Sequence, residues 1–389
     1  MLNLSDLNDP SGMYSDLITE FIKNGHEVYP VASATNAAHS FLSCEKNINV
    51  LRVKTFPLLN INPISKGIAN VLLPFQYKRS INKFLKNVNP ELIIMPTPPV
   101  TLVGVVKELK KQYGSRFYLI LRDIFPANAV DLGLIKKSGI LHWFFRKQER
   151  DLYRLADTIG CMSKGNIDYL KIHNPDLNES KLHVLMNFQK PTDDDSLFYV
   201  NFRSLFCLEN KFIVLFGGNM GIPQKIENVL ALAQKCLVFK DVVFLLVGDG
   251  TQRRRIEKLA NKYAVPNIIF KDSLSRKEYL ILAGHCDVGL ISLNEKFTIP
   301  NFPSKTMSYF DAGLPVLASV DNATDYGSIL EKSGAGLISE AGDIDSFFAN
   351  FCTLYNSPEL RKKMGKNGRE FLNEYMTVEV AYRTIMNHV

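Results

Sequence analysis

Two glycine turns stand where an apolar, strand-like run gives way to a helical pattern. Gly217-Gly218-Asn219-Met220-Gly221 follows the run 212–216, and Gly248-Asp249-Gly250 follows the run 242–247. Backbone N–H groups in such turns, and at the helix starts behind them, can form a concave anion site. A plain tight turn is the other reading of each. A third stretch, residues 297–319 (FTIPNFPSKTMSYFDAGLPVLAS), reads as a polar loop, a short helix from about Ser304, a stop at Gly313 and a strand. Ser304 is placed as the N-cap, and Lys305 puts a cation in the first turn. That cation opposes the helix dipole, a local cost that an anionic ligand would reverse. Without a ligand the stretch is simply a surface loop, a helix and a buried strand. In the N-terminal half, Asp123 ends the run 118–121. A carboxylate there can orient or deprotonate a hydroxyl, or cap the following turn.

Other chemistries find no support. Neither glycine turn matches GxGxxG or GxxxxGK[ST], which argues against a nicotinamide or flavin dinucleotide and against an ATPase of that class. The six cysteines are scattered singly with no CxxC, so neither a disulfide framework nor a zinc site is indicated. The seven histidines do not cluster, and His26 sits at a helix-to-strand turn, a structural place. Asp193 and Asp195 satisfy a DxD pattern, but they follow no apolar strand and read as solvated linker charge. The longest apolar runs are strand-sized, well short of the ~18–20 residues that span a bilayer. No signal-peptide pattern opens the chain, so a cytoplasmic location is the default expectation.

At 389 residues, with 46% hydrophobic and 22% charged residues, the chain is long enough for two soluble domains. Strands and helices alternate from residue 13 to residue 187 and again from residue 211, as doubly wound α/β domains do. The polar segment QKPTDDDS separates the two series. The expected division is residues 1–190, residues 191–375, and a last helix in 376–389 that packs back on the first domain. The opening Leu2-Asn3-Leu4 is meagre for a first central strand. Residues 68–88 read as a basic amphipathic helical region interrupted near Pro74. The net charge of +7 is uneven, because residues 66–154 carry 16 Lys/Arg against 6 Asp/Glu. That stretch, with Trp143, Phe144 and Phe145, suits an anionic surface or substrate. Ordinary helices with solvated lysines are the alternative. No aromatic RNA-binding signature or helix-turn-helix pattern points to nucleic acid.

Taken together, GGNMG, VGDG and CDVGLISL…FTIPNFPSK…YFDAGLPVLAS resemble the C-terminal domain of retaining glycosyltransferases of family 4. GMYSDLITEFIKNGHEVYPV, RDIFPANAVDLG and IGCMSKGNIDYLKIHNP extend the resemblance to the N-terminal half. The TIPNFPS and TDYG segments are most similar to the bacterial branch acting in O-antigen and capsule assembly, which includes N-acetyl-L-fucosaminyltransferases. The resemblance implies the GT-B fold, two Rossmann-like doubly wound parallel-sheet domains facing across a cleft. It implies a UDP-sugar donor, a polyprenyl-diphosphate-linked acceptor, no metal or other cofactor, and a peripheral place on the cytoplasmic face of an anionic membrane.

It also implies roles. Gly217, Gly218, Asn219 and Gly221 would hold the donor diphosphate, with Gln224 near the usual position of a lysine. Lys305, with the helix start at Ser304, would neutralise the leaving diphosphate. Gly248, Asp249, Gly250, Ser273 and Leu274 would border the base, and Ile299, Pro300 and Asn301 would face the donor sugar. Gly12 would lie across the cleft and Asp123 near the acceptor. Many members carry two glutamates eight positions apart, where this chain has Pro300 and Ser308, so Ser308 or a backbone group would take over ribose recognition. Two rival expectations are a UDP-sugar 2-epimerase on the same architecture and a non-catalytic sugar-nucleotide-binding remnant.

Overall fold

The computed structural model describes residues 4, 7, 12–57, 63–192 and 202–389. Leu2, Asn3, Asp193 and Asp195 lie outside the described residues, so the meagre first strand and the DxD pattern do too. The chain divides into two compact units, Met1–Lys190 with Val378–Val389, and Pro191–Thr377. Among the described residues no helix is long and apolar enough to cross a membrane.

The second unit holds a six-stranded, wholly parallel sheet. Its spatial order is Ile268–Lys271, Val242–Val247, Phe212–Gly217, Val288–Ser292, Val316–Val320, Gly336–Glu340. Every residue of Phe212–Gly217, Val242–Val247, Val288–Ser292 and Val316–Val320 is buried. Helices cover both faces of such a sheet, so its strands read as continuous apolar runs. One core cluster packs Phe212 and Phe244 against Phe347, Phe351 and Leu354 of the helix Ile344–Asn356. Chain order runs outward from Phe212–Gly217 in both directions. The topological switch point therefore lies between Phe212–Gly217 and Val288–Ser292. Those two strands pair only at Val288↔Val214 and Gly289↔Leu215, then part toward their carboxyl ends.

The first unit has two sheets among its described residues. Leu92–Pro96, Arg116–Leu121, Thr158–Cys161 and Leu182–Val184 form a four-stranded parallel sheet in chain order. In the other, Ile48–Lys54 pairs parallel with Val31–Ala34 and antiparallel with Phe41–Glu45. The resulting hairpin corrects a purely doubly wound expectation. Its two-residue turn is Lys46-Asn47, both at positive φ (48° and 62°), the backbone that a tight hairpin needs. A second correction concerns Pro74. The helix Pro63–Phe84 runs through it without a break. A third concerns the aromatic run in the helix Ile140–Leu155, where only Trp143 stands outside. Phe144 is half-buried, and Phe145 is buried with its ring 4.9 Å from that of Phe125. The last helix, Val378–Met386, belongs to this unit. Val378, Ala381 and Ile385 pack with Leu17, Phe21 and Ile120, and Tyr382 hydrogen-bonds His26 at 2.9 Å.

Asp311 closes the helix Lys305–Asp311 with a fully buried carboxylate. It accepts from Thr192 N at 3.1 Å and Thr192 Oγ1 at 3.0 Å, and it pairs with Arg369. Arg369 also donates to Thr192 O at 2.6 Å. The pair therefore fixes the start of the second unit to two of its helices. Removing one partner from a buried pair costs about 3–5 kcal/mol, because the other charge is left uncompensated. Arg369→Met is expected to lower the stability of this unit by about 3 kcal/mol in urea unfolding. Adding Asp311→Asn should recover most of that loss.

Candidate active site

The parting of Phe212–Gly217 from Val288–Ser292 would leave backbone groups unpaired, and one side chain meets them. The Tyr309 hydroxyl shares its proton between Leu215 O at 3.0 Å and Leu290 O at 3.1 Å, and it accepts from Gly217 N at 3.2 Å. Its ring fills the space over Gly289, where a Cβ would come within 2.5 Å of Tyr309 Cγ. Gly217 is closed in the same way by the Tyr279 hydroxyl. These two glycines are therefore required by packed tyrosines.

The two glycine turns interlock. Gly218 N donates to Val247 O at 2.9 Å, Met220 N to Asp249 O at 2.7 Å, and Gln252 N to Met220 O at 3.0 Å. A Cβ on Gly248 would overlap the Gly218 carbonyl, and one on Gly250 would lie 2.6 Å from Asn219 Oδ1 and Met220 N. The structure thus brings Gly217, Gly218, Asn219, Gly221, Gly248, Asp249 and Gly250 together. It also corrects the open-nest expectation. Gly221 N donates to Gln224 Oε1 at 3.2 Å, Gly248 N to Lys271 O at 3.1 Å, and Gly250 N to Asp249 Oδ1 at 2.7 Å. The glycines make the close approach of two turns possible, and these three amides are bonded elsewhere within the protein. Gln224 is turned back on its own turn. Gly218 and Asn219 are the exposed pair.

Lys305 stands beside this interlock. Its Nζ lies 3.6 Å from the centroid of the Phe216 ring, next to Gly217. No carboxylate among the described residues pairs with it. Lys305 is half-buried, and partial loss of hydration pulls its ammonium down from 10.5 to about 7. The ring face attracts a cation and works against that desolvation. Ser304 is exposed and makes no side-chain cap bond, so its role as N-cap is positional only. Ser308 is half-buried one turn beyond Lys305. Ile299 and Pro300 are buried, while Asn301 is half-buried with its carbonyl accepting from Thr324 Oγ1 at 2.7 Å. Ser273 is exposed and Leu274 half-buried in the turn after Ile268–Lys271.

Residues that the sequence reading passed over complete the edge. Arg253 Nη1 donates to Gly248 O at 2.9 Å and to Asp272 Oδ1 at 2.7 Å, tying the second turn to the third strand. Lys225, at φ 38°, pairs with Glu295 at 2.6 Å. Asn294 N donates to Pro223 O at 2.9 Å and Ser292 Oγ to Lys225 O at 3.1 Å, so residues 222–225 are laced to the end of Val288–Ser292. A lysine one place after Gln224 was the available signal.

In the first unit, Arg122 follows the strand Arg116–Leu121 and donates to Asn187 and, at 2.8 Å, to Met13 Sδ. This brings Gly12 and Asp123 to one sheet edge. Asp123 is itself exposed at that edge; crowding by the surrounding protein raises its carboxyl above the ordinary value, and Arg122 pulls the other way. Gly12 is the extended N-cap of Met13–Lys23, and a Cβ there would meet only Ser15 Oγ at 3.9 Å. Its lack of a side chain is not a steric need within this unit.

Residues 201–371 match the family model Glycosyl transferases group 1. That match spans less than half of the chain and lies wholly within the second unit. The chain is 24% identical over 290 residues to the probable glycosyltransferase WbjE of Pseudomonas aeruginosa, across 72% of this chain and 70% of the relative. It is 24% identical over 312 residues to the putative colanic acid biosynthesis glycosyl transferase WcaI of Escherichia coli strain K12, across 77% and 74%. The solved structure of Anabaena Alr3699/HepE in complex with UDP-glucose aligns with a TM-score of 0.68 at 15% identity, over 99% of this chain and 97% of that one. At that identity the likeness shows the fold, which is GT-B.

Two outcomes follow for the second unit. Gly248→Ala should lower its stability by more than about 3 kcal/mol, because backbone has to move. Gly218→Ala has open space but φ +97°, and should cost only about 1–2 kcal/mol. Equal midpoints for the two variants in urea would contradict the interlock. The second outcome concerns Lys305. Below pH 7 it is charged in folded and unfolded chains, and its desolvation weighs fully on the fold. From about pH 7 to about pH 10.4 the unfolded chain binds the extra proton, so stability rises with pH. Lys305→Met should be the more stable protein at pH 6, by at most about 5 kcal/mol at 1.36 kcal/mol per pKa unit. That advantage should fade by about pH 10 in thermal unfolding.

Proposed function

We propose that the protein transfers a sugar from a UDP-sugar to a polyprenyl-diphosphate-linked acceptor, with retention of anomeric configuration. The donor sugar is an amino or deoxy sugar such as N-acetylfucosamine, and the product belongs to O-antigen or capsular polysaccharide. The observation that carries this reading is the Lys305 ammonium, without a carboxylate partner among the described residues, beside the interlocked glycine turns of the stretch that matches the group 1 glycosyl transferase model. The name of the E. coli relative supports a polysaccharide product, and the UDP-glucose complex of the Anabaena protein supports the donor class.

Breaking the bond between sugar and diphosphate places negative charge on the departing phosphate oxygen. A desolvated ammonium at that oxygen stabilises the charge more strongly than a solvated one. Lys305 supplies it, and an arriving diphosphate raises its protonated fraction from the even balance that burial sets near pH 7. In this reading a lysine does the work that a divalent cation does elsewhere, so chelators leave the rate unchanged. Exposed Asn219 and the Gly218 turn contact the phosphates, and Ser308, on the same helix as Lys305, binds the ribose. Asp123 orients the acceptor hydroxyl, its raised pKa suiting it to take up the proton.

A bound donor stabilises the native state by mass action, about 2.7 kcal/mol at a hundredfold excess over Kd. A panel of UDP-sugars should therefore raise the midpoint of thermal unfolding, with one sugar ahead of the rest. Lys305→Met should stay folded yet lose at least about tenfold in UDP affinity and more in transfer. The product should keep the donor's anomeric coupling in NMR. An epimerised sugar nucleotide formed with no acceptor consumed would overturn the reading, and so would transfer that survives Lys305→Met unchanged.

A further inference from the structure

Residues 299–303, Ile-Pro-Asn-Phe-Pro, are apolar except in the middle, and the fold buries all of them but Asn301. Among the described residues the half-buried Asn301 carboxamide has no hydrogen-bond partner, while its main chain is held. The Asn301 carbonyl accepts from Thr324 Oγ1 at 2.7 Å, and Thr324 Oγ1 accepts from Tyr326 N at 3.2 Å. An amide N–H can only donate, so the single Thr324 proton goes to Asn301. Asp321 Oδ1 fixes the turn from behind, accepting from Ala323 N at 3.0 Å and Thr324 N at 3.1 Å. Beside Asn301, the buried Phe302 ring stands edge-on to the Tyr326 ring, 5.2 Å between centroids. Beyond Lys305, the fully buried Thr306 Oγ1 donates to the Tyr326 hydroxyl at 2.9 Å. Residues 321–326 therefore grip the chain at 301, 302 and 306, on both sides of Ser304 and Lys305.

The two gripped segments start from neighbouring strands. Val288–Ser292 and Val316–Val320 pair from Gly289↔Val316 to Ser292↔Ser319, and Leu293 N still donates to Ser319 O at 2.8 Å. Both loops thus leave the carboxyl edge of the sheet side by side, where open α/β sheets bind their ligands. A polar side chain on a fixed main chain loses little freedom when it binds, so its hydrogen bonds discriminate sharply. A carboxamide donates, accepts and carries no charge. It can meet the N–H or the carbonyl of an acetamido group, and it has no charge to pair with a uronate or a free amine.

We propose that Asn301 reads the acetamido substituent of the donor sugar, and that Thr324, backed by Asp321 and Tyr326, is the positioning residue that sets this selectivity. The proposal deepens the sugar-transfer reading and rests on it. In that reading Lys305 takes the diphosphate, and Asn301, four residues earlier in the same loop, meets the sugar attached to it. Thr324 touches no substrate. It acts through the main chain of Asn301 alone.

The test is calorimetric titration with UDP and with two matched pairs of donors. One pair is UDP-N-acetylglucosamine and UDP-glucose, the other UDP-N-acetylgalactosamine and UDP-galactose. In at least one pair the acetamido member should bind about tenfold more tightly or better, the scale of one hydrogen bond made or left unmade. Asn301→Ala should bring that ratio to about one. Thr324→Val keeps the shape and removes the proton, and should cut the ratio to about threefold or less while the Kd for UDP moves by less than about twofold. Thr324→Ser should restore the ratio. The unchanged UDP affinity shows that the variants are folded, and a purely structural role would weaken UDP and both members of a pair alike. If the unaltered protein binds no UDP, the sugar-transfer reading fails and this one with it. If UDP binds but the members of each pair bind equally, only this proposal fails. A Thr324→Val protein that keeps the full ratio, or loses UDP affinity as steeply as donor affinity, would overturn the role given to residues 321–326.

Discussion

The second unit depends on how it manages the parting of two strands. Phe212–Gly217 and Val288–Ser292 share only two residue pairs. Past that point each has backbone groups that face a gap, and an unpaired buried carbonyl or N–H is costly. Tyr309 takes three of them on one hydroxyl. Its ring needs the place of a side chain at position 289, which glycine leaves free. The same contact anchors the helix Lys305–Asp311 over the carboxyl edge. Lys305 lies one turn before Tyr309, so the residue that closes the gap also aims the lysine at Phe216 and Gly217.

That arrangement holds an electrostatic cost in reserve. The fold keeps an ammonium beside an aromatic face, partly dehydrated and with no carboxylate partner among the described residues. Lys225, a short distance along the chain from the first glycine turn, shows the alternative, because Glu295 compensates it. An anion arriving beside Lys305 relieves a cost that the empty protein carries, whereas an anion at Lys225 has to compete with Glu295. The same edge excludes bulk. Gly248 and Gly250 let two backbone turns touch, and Arg253 binds the second turn to the third strand, so the surface offered to a ligand is mostly main chain held from behind.

Much of the fold was legible because buried parallel strands are apolar on both faces and stand out as unbroken runs. The runs 212–216 and 242–247 therefore gave the central strands of the second unit almost to the residue. Less was legible where the deciding partner is distant in sequence. Nothing local says that Gly217 and Gly289 serve tyrosines 279 and 309, or that Met220 of one turn donates its amide to Asp249 of the other. Lys225–Glu295 and Arg253–Asp272 are likewise tertiary facts. The Lys46-Asn47 turn escaped notice because its residues are not the Asn-Gly or Asp-Gly pair that usually marks such backbone. Pro74 looked like a break because a proline removes a helix hydrogen bond. The packing of Ala69, Leu73 and Tyr77 on either side of it outweighs that loss.

Composition showed that residues 66–154 are basic, but not which of those charges are available. The structure sorts them by partner. Lys78 is matched by Glu108, Lys110 by Asp157, Arg146 by Glu149, and Arg154 by Asp176. Such pairs contribute little to an outward field, because each cation's charge is cancelled within a few ångströms. Lys136, Lys137 and Lys147 have no carboxylate partner among the described residues, and they lie near Ile140 and Trp143 in the chain, both largely exposed. A soluble face gains nothing from leaving Ile140, Trp143 and Phe75 in water, since each could be polar at no cost to the core on the opposite side of its helix. Their coincidence with the uncompensated lysines is what turns an excess of charge into a surface with a direction.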